Sequence, residues 1–244
     1  MKSKLTVSLA QMKVLSANKN IKKVLEYIRR ASKKSDIICF PECIFNGKKV
    51  HAGKELVPIQ TACKAGNIFA VINGYFKDKG KKYNRTYLID NKGKIIGLYD
   101  KIFLWIEEKR ATRGKQVKVF NTSLGKIGLC TCWDMFFPSI FTKLKQKGAE
   151  IIFCPSYWPD NLKKEAKYIE HAPVAIAYTY MTYFVYCNAL FKGKISVSQI
   201  AGPWGEIKKI KYKEGMITAT IYSERLKRFK KHFVKGFYDR EELY

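Results

Sequence analysis

Hydrophobic and polar positions along the chain repeat with two alternating periods. Leu5–Gln11 is a short apolar run that reads as a strand. Ile21, Val24, Leu25 and Ile28 follow at helical spacing, while Lys22, Lys23, Arg29, Arg30, Lys33 and Lys34 fall mainly on the opposite face. Asn20, just before this pattern, is the expected N-cap. Asp36–Glu42 (DIICFPE) is an apolar strand that ends on a carboxylate, and Phe69–Tyr75 is another strand. Thr86–Asp90 and Lys94–Tyr99 flank Asn91-Lys92-Gly93, a good hairpin turn.

The second half continues the alternation. Lys126–Cys132 (KIGLCTC) reads as a strand, and Pro138 sits near the start of a helix that runs to Gly148. Glu150–Pro155 is the next buried strand, with further strands near 183–190, 196–202, 206–212 and 216–222. Ser223 caps a last basic helix, Glu224 to His232, whose Leu226 and Phe229 are expected to pack inward; the helix and a short tail fill about 224–244. Ala172–Phe191 holds no charged residue and imitates a membrane span. Pro173, Asn188 and the β-branched, aromatic stretch TYFVYCNAL favour a helix end followed by a core strand instead. No Pro/Gly/Ser-rich linker divides the chain. The pattern predicts one α/β domain, with strands too numerous and too mixed for a simple Rossmann order.

Composition changes this picture in one respect. The chain has 244 residues and a formal net charge of +27. Its apolar fraction of 47% supplies a sizeable core and excludes a disordered basic tail. The charge raises a second class of function, a non-enzymatic protein binding nucleic acid through a basic surface. Basic residues sit in nearly every connecting segment rather than in one block, so nucleic acid is not the favoured partner.

Seven cysteines, an odd number in a long chain with no signal peptide in view, predict a reduced, cytoplasmic setting. There is no CxxC pair, and only three histidines are present, so no metal site is expected. Cys130 and Cys132 lie two apart on the predicted strand and would share one face; Cys130 reads as core filler rather than half of a redox pair.

Three reactive side chains stand where strands are predicted to end: Glu42, Lys101 and Cys132. In α/β folds functional groups gather at strand ends. A cysteine attacks as its thiolate, so it needs a proton acceptor or a stabilising cation nearby. None of the histidines lies near a strand end, which leaves a glutamate and a lysine to activate Cys132.

Phe40-Pro41-Glu42, Tyr99-Asp100-Lys101 and Cys132-Trp133-Asp134 followed by Phe137-Pro138 occur in that order. Together they resemble the nitrilase superfamily of carbon–nitrogen hydrolases, and the similarity extends over residues 4–230. The resemblance implies a four-layer α-β-β-α sandwich, a homodimer or higher homo-oligomer, and no cofactor. It implies Glu42 as general base, Cys132 as nucleophile and Lys101 as the cation that stabilises the tetrahedral intermediate, with the Trp133 backbone N–H as a second donor. A further glutamate falls at Glu108, with Glu107 as the one-residue alternative. The implied substrate is a small-molecule amide (linear, ω-amide or N-carbamoyl) cleaved through a thioester, with a nitrile as the alternative. Trp133, Phe136, Tyr157 and Trp158 are candidates for the pocket wall. The chain departs from the family pattern at Phe103, where many relatives have histidine, and in a short stretch after Gly47.

Overall fold

The computed structural model describes residues 1–45, 55–159 and 168–233. Two six-stranded sheets pack face to face, with helices on both outer sides. The first half of the chain builds one sheet from β1 (Lys4–Gln11), β2 (Ile37–Cys39), β3 (Phe69–Asp78), β4 (Lys81–Ile89) and β5 (Ile95–Asp100). The second sheet holds β6 (Val119–Thr122), β7 (Gly125–Leu129), β8 (Ile151–Ser156), β9 (Tyr183–Asn188), β10 (Val197–Gly202) and β11 (Gly205–Lys211). β12 (Gly215–Tyr222) returns to the first sheet and pairs antiparallel with β1. In each sheet three central strands are parallel, β1-β2-β3 and β7-β8-β9, and the outer strands are antiparallel.

Strands covered on both faces need apolar residues at consecutive positions, and these have them. Leu5, Val7 and Leu9 of β1 face the other sheet together with Ile37, Cys39, Ile151, Phe153 and Val185. Ile38 and Ala10 turn outward under α1 (Ala17–Ala31) and α2 (Val57–Ala65). Ile152, Cys154 and Tyr186 turn outward under α3 (Pro138–Gln146) and α4 (Tyr168–Thr179). Each fully buried side chain of this size contributes about 1.5–3 kcal/mol. The result is the expected four-layer sandwich.

The segment resembling a membrane span resolves into α4 and then β9. Among the described residues no helix is long and apolar enough to cross a membrane. The last helix, α5 (Ser223–Phe233), sends Leu226 into the inter-sheet core and sets Phe229 against Trp204. The tail beyond it, and residues 46–54 after the first strand motif, lie outside the described residues.

Two local expectations need correction. Asn20 does not cap α1, which begins at Ala17. Its amide instead binds both backbone groups of Leu15 and the carbonyl of Ile44, so it ties the start of α1 to the segment after Glu42. Cys132 is not a strand end. β7 stops at Leu129, and Cys132 opens a short 3-10 turn, Cys132–Phe136, with φ of 46°. Cys130 therefore shares no strand face with it and packs among the apolar residues under α3 and α4.

Candidate active site

The central parallel strands of both sheets run their carboxyl ends toward one seam. Glu42 lies just past β2, and its backbone N–H donates to the carbonyl of Ser156, the last residue of β8, at 3.2 Å. Cys132 lies just past β7. Lys101 follows β5, and its N–H donates to the Asn84 carbonyl on neighbouring β4. A Cβ at Gly114 would overlap the Asp100 carbonyl, and the Gly114 N–H donates to the Lys101 carbonyl at 2.9 Å. Only glycine lets the returning loop press so closely on the lysine.

Three of the expected residues meet directly. Lys101 Nζ lies 3.0 Å from Glu42 Oε1 and 2.6 Å from Glu108 Oε2. The Lys101 and Glu42 side chains are 2% and 3% exposed, and Glu108 is 8% exposed, so water screens this cluster poorly. Glu107 is exposed, and Glu108 is the glutamate that faces the lysine. Asn84 Nδ2 donates to Glu42 Oε1 and to Glu108 Oε1, both at 2.6 Å. The Tyr157 N–H donates to Glu42 Oε2 at 2.9 Å, and the Tyr75 hydroxyl donates to Glu108 Oε1 at 2.7 Å. The Trp105 N–H completes Glu108 at 2.8 Å.

A second row of polar side chains supports the first. Asn73 Nδ2 donates to Asn84 Oδ1 and to Thr86 Oγ1, both at 2.9 Å. Thr86 Oγ1 lies 2.9 Å from Thr131 Oγ1, which precedes the cysteine on the other sheet. Asp134 then fixes the cysteine turn: it accepts from the Thr131 N–H, the Phe103 N–H and the Tyr99 hydroxyl. Phe103, the departure from the family pattern, thus contributes its backbone to this anchor while its ring stacks on Phe137 at 3.5 Å. Burial pushes the Asp134 carboxyl up to about 6, and these three donors pull against it.

The charges shape one another. Burial works against the Lys101 ammonium, but Glu42, Cys132 and Glu108 outweigh it and hold its pKa well above the ordinary lysine range. Burial also opposes the Glu108 charge, yet Lys101, Asn84 and the Trp105 N–H keep its carboxyl below the usual value. Burial and then the Glu42 charge push the Cys132 thiol well above the ordinary range, with Lys101 and Ser156 pulling partly back. Cys132 is 7% exposed and rests as a thiol beside a carboxylate.

The four expected aromatics divide. Trp133, Phe136 and Trp158 form one group, with ring centroids 4.3 Å apart for Trp133–Phe136 and 5.1 Å for Phe136–Trp158. Trp105 and Tyr168 join it, at 4.5 Å from Trp133 and 4.3 Å from Phe136. Phe136 and Trp105 remain 37% and 42% exposed, so this group is a surface-reaching wall rather than core. Tyr157 stands apart and packs against Phe191 at 4.8 Å. Asn84, Tyr75, Trp105 and Ser156 belong to the site but were not singled out from the sequence. Asn84 and Ser156 had a weak signal, because Tyr83-Asn84 and Pro155-Ser156 also fit the resemblance; Tyr75 and Trp105 had none. Among the described residues no group of three or more His, Cys, Asp or Glu side chains is placed to hold a metal ion.

Comparison with known proteins decides the family. The family model described as carbon-nitrogen hydrolase matches residues 6–231. The chain belongs to the carbon–nitrogen hydrolase family. This hydrolase is 26% identical to a probable nitrilase of Schizosaccharomyces pombe, over 97% of its own length and 96% of the relative's. It is 23% identical to the human omega-amidase, covering 89% and 87% of the two chains. Its fold is that of the crystal structure of Saccharomyces cerevisiae Nit3, a nitrilase-superfamily member, with a TM-score of 0.86 at 20% identity over 98% and 97% of the chains. The hydrolase is thus an enzyme acting on carbon–nitrogen bonds, on a nitrilase-superfamily sandwich.

Proposed function

We propose that this hydrolase cleaves a small-molecule amide through a thioester on Cys132, with Glu42 as general base and Lys101 as the stabilising cation. The observation that carries the reading is the buried Lys101 held between Glu42 and Glu108, with the Cys132 thiol inside the field of Glu42 and Lys101. Similarity to the human omega-amidase supports an amide, and similarity to the probable nitrilase of Schizosaccharomyces pombe keeps a nitrile as the alternative.

Because the resting sulfur is a thiol, its proton leaves as the carbon–sulfur bond forms. Cys132 attacks the carbonyl carbon and Glu42 takes the proton. The oxygen that gains the electron pair is stabilised by the Lys101 ammonium and the Trp133 N–H. Glu42 then passes the proton to the leaving nitrogen, the carbon–nitrogen bond breaks, and ammonia or an amine departs from the thioester. Glu42 next accepts a proton from water, the resulting attack breaks the thioester, and the acid leaves as Cys132 regains its proton. Glu108 pairs with Lys101 throughout, which leaves Glu42 free to move protons. Trp133, Phe136 and Trp158 wall the substrate, with Tyr157 binding through its N–H to Glu42.

The proposal includes a homodimer, which light scattering of the purified protein tests. It also includes a cytoplasmic setting, which the seven free, buried cysteines support. The reaction is tested by ammonia release from linear amides, ω-amides, N-carbamoyl amines and nitriles. Release from an amide by the wild type and its abolition in Cys132→Ala, with the fold intact by circular dichroism, is the expected result. Full activity in Cys132→Ala, or turnover of nitriles alone, overturns the reading.

A further inference from the structure

Two hydroxyls near the nucleophile are buried without a hydrogen-bond partner. Ser156 Oγ and the Tyr186 hydroxyl oxygen both lie in fully buried residues, and neither makes a hydrogen bond of good geometry. Buried polar groups are nearly always satisfied, so a pair of orphans requires a reason.

Strand register explains where they stand. Leu129 of β7 pairs with Phe153 of β8, and Cys132 and Ser156 lie equally far beyond that pair. Tyr186 of β9 pairs with Cys154, two places before Ser156. The three side chains therefore gather at the same end of three adjacent strands. The Ser156 main chain is fixed there, because its carbonyl accepts from the Glu42 N–H and the Ala189 N–H. Its hydroxyl is close enough to favour the ionised form of both Cys132 and Tyr186.

We propose that the Ser156 hydroxyl donates a hydrogen bond to the Cys132 sulfur once that sulfur carries negative charge, and that the Tyr186 hydroxyl donates in turn to Ser156 Oγ. A neutral thiol is a weak acceptor, so at rest nothing turns the Ser156 hydroxyl toward the sulfur and its lone pair toward Tyr186. A charged sulfur is a strong one, so the bond forms as the proton leaves for Glu42. An interaction absent from the ground state and present when charge develops lowers a barrier rather than tightening binding. Ser156 then acts on the reacting sulfur directly, and Tyr186 is a positioning residue behind it. No proton is transferred along the pair.

This inference rests on Cys132 being the nucleophile, and one experiment separates the two claims. Alkylation of Cys132 by iodoacetamide is followed against pH, with the modified residue located by mass spectrometry, in the wild type, Ser156→Ala and Tyr186→Phe. The profile of Ser156→Ala is expected to move to higher pH, with alkylation at neutral pH about ten-fold slower. Tyr186→Phe is expected to move it less, in the same direction. Both variants should keep wild-type stability in urea, because each removes a group that has no partner in the resting fold. A profile unmoved in Ser156→Ala, with or without lost stability, overturns the hydroxyl assignment alone. A wild-type Cys132 that resists alkylation at every pH overturns the nucleophile as well.

Discussion

Glu42 and Glu108, two buried carboxylates, are tied to each other by a single amide: Asn84 Nδ2 stands 2.6 Å from an oxygen of each. Lys101 bridges the same pair by charge. The amide sets the spacing that the ammonium alone would leave loose. Asn84→Ala should therefore lower kcat by about ten- to hundred-fold, with little change in KM. Steady-state kinetics on an amide substrate check this. A rise in KM at constant kcat would assign Asn84 to substrate binding instead.

Removing the cation strands both acids. Lys101→Met should destabilise the fold by roughly 3–5 kcal/mol at neutral pH, since it leaves buried carboxylates without their partner. Lys101 holds the Glu108 carboxyl below its usual range. Its stabilising effect is therefore present above the ordinary carboxylate value and is lost as pH falls through the lowered one. Urea unfolding at several pH values should show the wild-type advantage shrinking toward acid. An advantage that grows toward acid would contradict the pairing.

Asp134 behaves in the opposite sense. Its folded value is pushed up to about 6, above that of an aspartate in the unfolded chain, ~4. Between these values the folded chain holds a proton that the unfolded chain has released. The contribution of Asp134 to stability therefore declines as pH rises through that window. Tyr99→Phe removes one donor to the carboxylate and should carry the decline to higher pH. Equal upper limits in the two proteins would dissociate Tyr99 from the titration.

Cys132 holds a left-handed backbone, φ of 46°, at a position glycine would occupy without strain. Cys132→Gly should accordingly be more stable than Cys132→Ala by about 1 kcal/mol. Both variants lack the thiol and should be inactive. Thermal or urea melts of the pair measure the difference. Alanine as stable as glycine would mean that the turn relaxes.

Much of this molecule was legible before its structure, and for a physical reason. The central strands are covered on both faces, so DIICF and EIIFC are apolar without interruption and the helices between them keep a clear 3.6-residue stripe. Glu42 stands out because it ends one of those runs, and Lys101 and Cys132 because they are reactive groups closing the strand-like segments IIGLYDK and KIGLCTC. The weaker elements escaped. α2 buries only Ile59 and Cys63, too little for a recognisable stripe, and β6 is a four-residue edge strand with no fully buried position. Asn20 has the chemistry of a cap, but the Ile44 carbonyl, remote in sequence, claims its amide. The reversal at Cys132 leaves no trace in KIGLCTC, because left-handed backbone at a cysteine is imposed by the Thr131 and Asp134 contacts around it. Asn84 and Tyr75 bear on the site through Glu42 and Glu108, which are remote in sequence, and no local pattern records those contacts.

The division of the site between the sheets fixes when reactivity arises. The carboxylates, the lysine and the amide that spaces them all belong to the first half of the chain, and the thiol belongs to the second. During synthesis the acid–base half is complete before the sulfur has been made. The bond from the Glu42 N–H to the Ser156 carbonyl forms only when the halves dock. Under the proposed mechanism, a chain that stalls or misfolds midway carries either a base without a nucleophile or an ordinary, unassisted cysteine, and maturation of the fold is itself the activation step.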